Sequence, residues 1–159
     1  MTTIDVGIPP LPARHGLHLS AEQRAVRAAA ARWSLGKGRP LNLDALTVIL
    51  AAKEFESAVD GRPYHRWSAS GAVTFLWATV PEFCAARNVQ VPVGLAESLW
   101  TWFDFLAHHR QFASGSSTLG ALREVLVDSA GLTRAGRVAR RSVRLPGEVS
   151  FLPRRSAEG

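Results

Sequence analysis

Apolar side chains recur every three or four residues along five stretches of this chain, and short runs rich in Gly, Pro and Ser separate them. That is the period of a helix with one buried face. The first helix is predicted to open at Ser20, which forms a capping box with Gln23, and to end at Gly36. Val26, Ala29, Ala30 and Trp33 share one of its faces, while Arg24, Arg27 and Arg32 give it a basic exterior. Asn42 caps a second helix to about residue 59, with Ala45, Val48, Ile49, Ala52, Phe55 and Val59 inward and Lys53, Glu54, Glu56 and Asp60 outward. Gly61 and Pro63 stop it.

Ser68 or Ser70 caps a third helix, in which Val73, Leu76, Trp77 and Val80 take the inner positions. Pro81 either kinks it or ends it before a short successor, since Phe83 and Cys84 continue the same face. Pro92 suits the first turn of a fourth helix reaching His108. Leu95, Leu99, Trp102 and Leu106 form its seam, and Trp100, Phe103 and Phe105 widen it, so this helix is expected at the centre of the fold. Ser116 or Ser117 caps a fifth, carrying Leu119, Leu122, Val125 and Leu126, which Gly131 ends. The expected architecture is an all-α, single-domain bundle of five to six helices over residues 20–131. An extended Pro-rich arm (1–19) precedes it and an Arg-rich segment (132–159) follows. Within that last segment residues 133–142 are expected to continue as a short helix, and 143–152 to form a small hairpin around Pro146-Gly147.

Composition sharpens this only in part. A chain of 159 residues, 47% hydrophobic and 20% charged, suits one core. Glu82, Arg87, Glu97 and Asp104 interrupt the most apolar region, so no membrane span is expected, and the start of the chain has Asp5 and three prolines in place of a secretory signal. A cytoplasmic protein is therefore expected, in keeping with a single cysteine, Cys84, read as a small buried apolar group. The stretch 9–14 loosely matches a PxxP ligand, but so short a motif recurs by chance and an arm along the domain surface is preferred.

Charge changes the picture more. Residues 1–41 carry six basic against two acidic side chains (+4), residues 42–131 six against nine (−3), and residues 132–159 seven against two (+5). The preference for Arg, seventeen against two Lys, is also what a high-GC genome would produce. If the segment after Thr133 is helical, Arg134, Arg137, Arg141 and Arg144 form one stripe, with Arg140 beside it and Arg154 and Arg155 as a tail. Guanidinium groups suit phosphate, so the first functional expectation is a non-enzymatic accessory or regulatory protein that contacts nucleic acid through these residues and through Arg24 and Arg27. No helix-turn-helix signature is present, and sequence-specific recognition is not expected. The alternative is a helical interaction module whose basic ends dock on an acidic partner protein or on a second copy of the chain.

From residue 67 to 130 the order of landmarks is Trp67-Ser68, Phe75-Leu76, Val80-Pro81, Leu95, Leu99, Phe105-Leu106, then 116–126. This resembles an uncharacterised helical module of hypothetical proteins from high-GC Gram-positive bacteria. The resemblance covers about half the chain and implies a helical fold, with no catalytic or binding residues to carry over.

As a third functional reading, Asp104 four residues before His108, with His109 adjacent, would supply an enzyme with an oriented imidazole. Adjacent helical residues diverge by about 100°, however, and a histidine at a helix C-terminus is favoured by the dipole alone. No metal site is expected, because His15, His18, His65, His108, His109 and Cys84 lack metal-ligand spacing, and no cofactor is implied. The 36–40 stretch, Gly-Lys-Gly-Arg-Pro, is read as a mobile basic turn without phosphate-loop spacing. Of the five tryptophans, Trp33, Trp77 and Trp102 are assigned to the core, and an exposed Trp100 would suggest a protein interface.

Overall fold

A computed structural model describes residues 10–138. Among them the chain is all-α, with two isolated β-bridges and no sheet. After a single turn, α1 (Ala13–Gly16), come α2 (Ala21–Gly36), α3 (Leu43–Asp60), α4 (Ala69–Thr74), α5 (Val80–Ala86), α6 (Leu95–His108) and α7 (Leu119–Ala130). The caps explain most boundaries. Ser20 and Gln23 form the reciprocal capping box, Asn42 Oδ1 accepts from the N–H groups of Asp44 and Ala45, and Ser68 Oγ accepts from Gly71 N. Gly61 and Gly131 close α3 and α7 in the left-handed conformation.

α6 is the central helix. Ten of its fourteen residues are buried, and α2, α3 and α7 all pack on it. α3 is buried all round from Ala45 to Leu50, whereas α4 packs mainly on α7. Trp67 is wedged edge-on between Phe75 and Phe103, both ring centroids 5.0 Å away, and Lys53 Nζ lies 4.3 Å above its ring. Truncating so large a buried ring would cost about 3–5 kcal/mol.

Several expectations are corrected. At Pro81, where a kinked helix and a helix with a short successor were both open, the helix is continuous: α4 runs through a π turn (Phe75–Thr79) directly into α5. Val80 N–H reaches back five residues to Phe75 O, so the ladder is already widened where proline lacks its donor. α6 begins at Leu95 and not at Pro92, because Gly94 turns the chain at φ 75°. The α7 cap is Thr118. Ser116 and Ser117 instead clamp a neighbouring loop, their Oγ atoms accepting from Trp67 N (3.2 Å) and Ala69 N (3.0 Å). The inner face of α3 ends before Phe55 (48% exposed) and Val59 (73%): Phe55 is covered in part by Phe83, with ring centroids 6.0 Å apart, and by Arg87, whose guanidinium lies 4.9 Å from its ring. The described part of the N-terminal arm does lie along the domain, as preferred above: Leu11 pairs with the 88–90 backbone (3.0 Å at both ends), and Ala13 is buried. No helix among the described residues is long and apolar enough to cross a membrane. The hairpin expected at 143–152 lies outside the described residues.

Candidate functional site

The central helix carries three buried polar residues at spacings of three, Ser98, Thr101 and Asp104. Each is matched by the chain entering α3, read in the opposite direction. Asn42 N donates to Ser98 Oγ (2.9 Å), Thr101 Oγ1 donates to Pro40 O (2.6 Å), and Arg39 Nη1 donates to Asp104 Oδ2. Every polar atom on this buried stripe therefore has a partner, as burial demands. The 36–40 stretch, read as a mobile turn, is thus pinned at its end by Arg39 and Pro40.

Asp104 also binds Arg123 from α7, whose Nε (3.1 Å) and Nη2 both donate to Oδ1. The carboxylate is only 3% exposed, while the two arginine side chains are each 37% exposed. One buried anion thereby holds two guanidiniums at the surface. Indoles support both: Arg39 lies 5.4 Å from the Trp33 ring centre and Arg123 5.4 Å from that of Trp100.

Beyond α7 the expected helix does not form over the described residues. Gly131 ends α7 at φ 68°, Leu132 pairs antiparallel with Val138, and Gly136 turns at φ 74°. Two left-handed glycines five residues apart are incompatible with helical continuation. Thr133 N donates to Arg137 O (2.7 Å) and Gly136 N to Thr133 O (2.9 Å), which closes the turn. Arg134 and Arg137 are therefore on a turn and not on a helical stripe. Arg134 pairs with Glu124 at 3.1 Å, and Arg137 Nη2 is 3.5 Å from Gly38 O, across the gap between the two basic turns.

These pieces surround one open depression of about 360 Å³, lined by Gly38, Arg39, Pro40, Trp100, Arg123, Arg134, Ala135 and Arg137. Four guanidiniums meet two carboxylates there, Asp104 and Glu124, leaving a local charge of +2. The two basic ends are separate in the sequence, and the fold brings part of each to one place. The Arg39–Arg123 pair was not anticipated, although Ser98, Thr101 and Asp104 at three-residue spacing on a mostly apolar helix are a visible signal of it.

The other expected site residues lie elsewhere. Arg24 donates to Leu19 O (2.8 Å) and Arg27 to Thr47 Oγ1 (2.8 Å). Both sit in the first half of α2, roughly 14–18 Å along the helix from its last residue, Gly36, and neither lines the depression. Arg140, Arg141, Arg144, Arg154 and Arg155 lie outside the described residues. The Asp104 carboxylate is engaged by the two arginines and not by His108, and His109 Nδ1 is 2.9 Å from Phe105 O instead. None of the five tryptophans is exposed: Trp67, Trp100 and Trp102 are buried, and Trp33 and Trp77 partly so. Trp100 is therefore no exposed interface residue. Among the described residues no three His, Cys, Asp or Glu side chains converge.

A second, smaller depression of about 190 Å³ is lined by Ser20, Gln23, Glu54, Tyr64 and His65 among others. Burial raises the Tyr64 pKa, and Gln23 Nε2 donates to Glu54 Oε2 at 2.6 Å. Burial also lowers the His65 pKa, against an opposing pull from Glu22. No family model, no curated protein and no solved structure matches the chain.

Proposed function

We propose that this is a non-enzymatic accessory or regulatory protein that contacts nucleic acid through its basic segments. The observation that carries the reading is the meeting of Arg39, Arg123, Arg134 and Arg137 around one depression with a local charge of +2. Arginine pairs with phosphate in planar, bidentate fashion, and two of these four are held in place before any ligand arrives. Arg24 and Arg27 add charge along α2, away from that centre, and suit a weaker contact with the backbone. The site offers positive charge and hydrogen-bond donors without a group poised for proton transfer or nucleophilic attack, which favours binding over turnover.

The test is a salt titration of binding to a labelled oligonucleotide. Neutralising about two phosphate charges, the net charge of the site, predicts a log–log slope near −1.5 for a single strand and slightly steeper for a duplex. Arg134→Gln combined with Arg137→Gln should flatten that slope almost to zero. Binding that ignores salt, or no binding at all, overturns the reading.

A further inference from the structure

Resting on that reading, we infer that the depression between the 36–40 turn and the 132–138 turn is a site for a single phosphate monoester, the terminal phosphoryl group of a nucleic-acid strand or of a free nucleotide. Three observations carry it. The first is concavity: a hollow of about 360 Å³ has the dimensions of a small-ligand site. Arginines on a convex surface can track a duplex backbone, whereas guanidiniums lining one hollow converge on one group. The second is charge. Four arginines and two carboxylates leave +2, which matches a monoester, close to dianionic at neutral pH, better than the single charge of an internal phosphodiester.

The third is the division of labour among the arginines. Arg39 and Arg123 are fixed by the buried Asp104 and backed by Trp33 and Trp100, so little side-chain entropy remains to be lost on binding. Arg134 and Arg137 are exposed, and each is held by one weak contact, to Glu124 and to Gly38 O. Those contacts are readily exchanged for phosphate oxygens. Two fixed donors and two that swing form a seat with a closing edge. Asp104 is a positioning residue in this scheme, since it faces the guanidiniums and not the ligand.

The experiment compares, on the full chain, two 3′-labelled single-stranded 12-mers that differ only in a 5′-phosphate or a 5′-hydroxyl, and measures binding of a nucleoside 5′-monophosphate directly by titration calorimetry. A preference of about tenfold or more for the phosphorylated strand is expected from the added charge-assisted bonds. Arg134→Gln with Arg137→Gln should abolish the preference, while Arg62→Gln with Arg110→Gln, an equal charge loss elsewhere on the surface, should keep it. Equal, salt-sensitive affinity for both strands overturns the terminal-phosphate site and leaves nucleic-acid contact standing. Binding of the mononucleotide with neither strand bound keeps the site, assigns it to a free nucleotide and overturns the nucleic-acid reading. A preference that survives in the double variant overturns the location, and no binding of any probe overturns both proposals.

Discussion

Gly136 lies against the Trp100 indole so closely that a Cβ on the glycine would sit 2.5 Å from Cδ1 and from Nε1 of the ring. The backbone there is also left-handed, φ 74°, which an L side chain resists. The turn that carries Arg134 and Arg137 is thus seated by an absent side chain. Gly136→Ala should lift the turn from the indole and cost about 1–3 kcal/mol, combining backbone strain with the clash. Urea denaturation followed by tryptophan fluorescence measures both effects. A variant with unchanged stability and an unchanged native spectrum would show that the turn is not docked on Trp100.

Asp104 and its two arginines differ sharply in exposure, 3% against 37%. Removing the anion leaves guanidiniums that can turn into solvent, whereas removing both cations strands a buried carboxylate. Breaking a buried pair in the second way costs about 3–5 kcal/mol, and losing bonds to a charged group in the first costs about 1.5–3. Arg39→Gln with Arg123→Gln is therefore expected to be the more destabilising change, and Asp104→Asn the milder one. The opposite order in denaturant midpoints would mean that mutual repulsion of the arginines dominates.

How much of this was legible beforehand depends on whether the cause was local. The capping box of Ser20 and Gln23, the Asn42 cap and the stop at Gly131 are decided within one turn of chain, and all stand in the structure. Ser116 and Ser117 looked like caps for the same local reason, yet their partners are Trp67 N and Ala69 N, nearly fifty residues away. Phe55 and Val59 continue the apolar period of α3, yet Phe55 is only half covered, by Phe83 and Arg87, and Val59 stays 73% exposed. The candidate site is the extreme case, because residues 39, 104, 123 and 137 meet only after the bundle has packed. Its one advance sign was polar: a three-residue rhythm of Ser98, Thr101 and Asp104 that period counting on apolar residues passes over.

Cys84 is buried on α5, and burial raises its thiol to about 11 despite the favourable charge of Arg87. Only the thiolate is alkylated, so at pH 8 the native protein should react with iodoacetamide on the order of 100-fold more slowly than a free thiol. In denaturant the difference should vanish. Fast labelling of the native protein would mean that α5 opens readily, and the labelling rate against urea would then report that opening.

His65 packs at a tilt against Tyr64, with ring centroids 4.4 Å apart and planes at 50°, and its Nδ1 is buried without a partner among the described residues. Burial lowers its pKa, Glu22 pulling the other way. A histidine whose folded pKa lies below the unfolded value of about 6.5 binds a proton more readily once the chain has opened. Its contribution to stability is therefore complete above about pH 6.5 and is lost as the pH falls toward the folded value. The urea midpoint should decline between pH 7.5 and 5.5, by no more than the uptake of one proton on unfolding implies, and His65→Asn should make that decline shallower. His18, His108 and His109 are present in both proteins, so the difference between the two pH profiles isolates position 65. Parallel profiles would show that His65 is protonated as easily in the folded protein as in the unfolded chain.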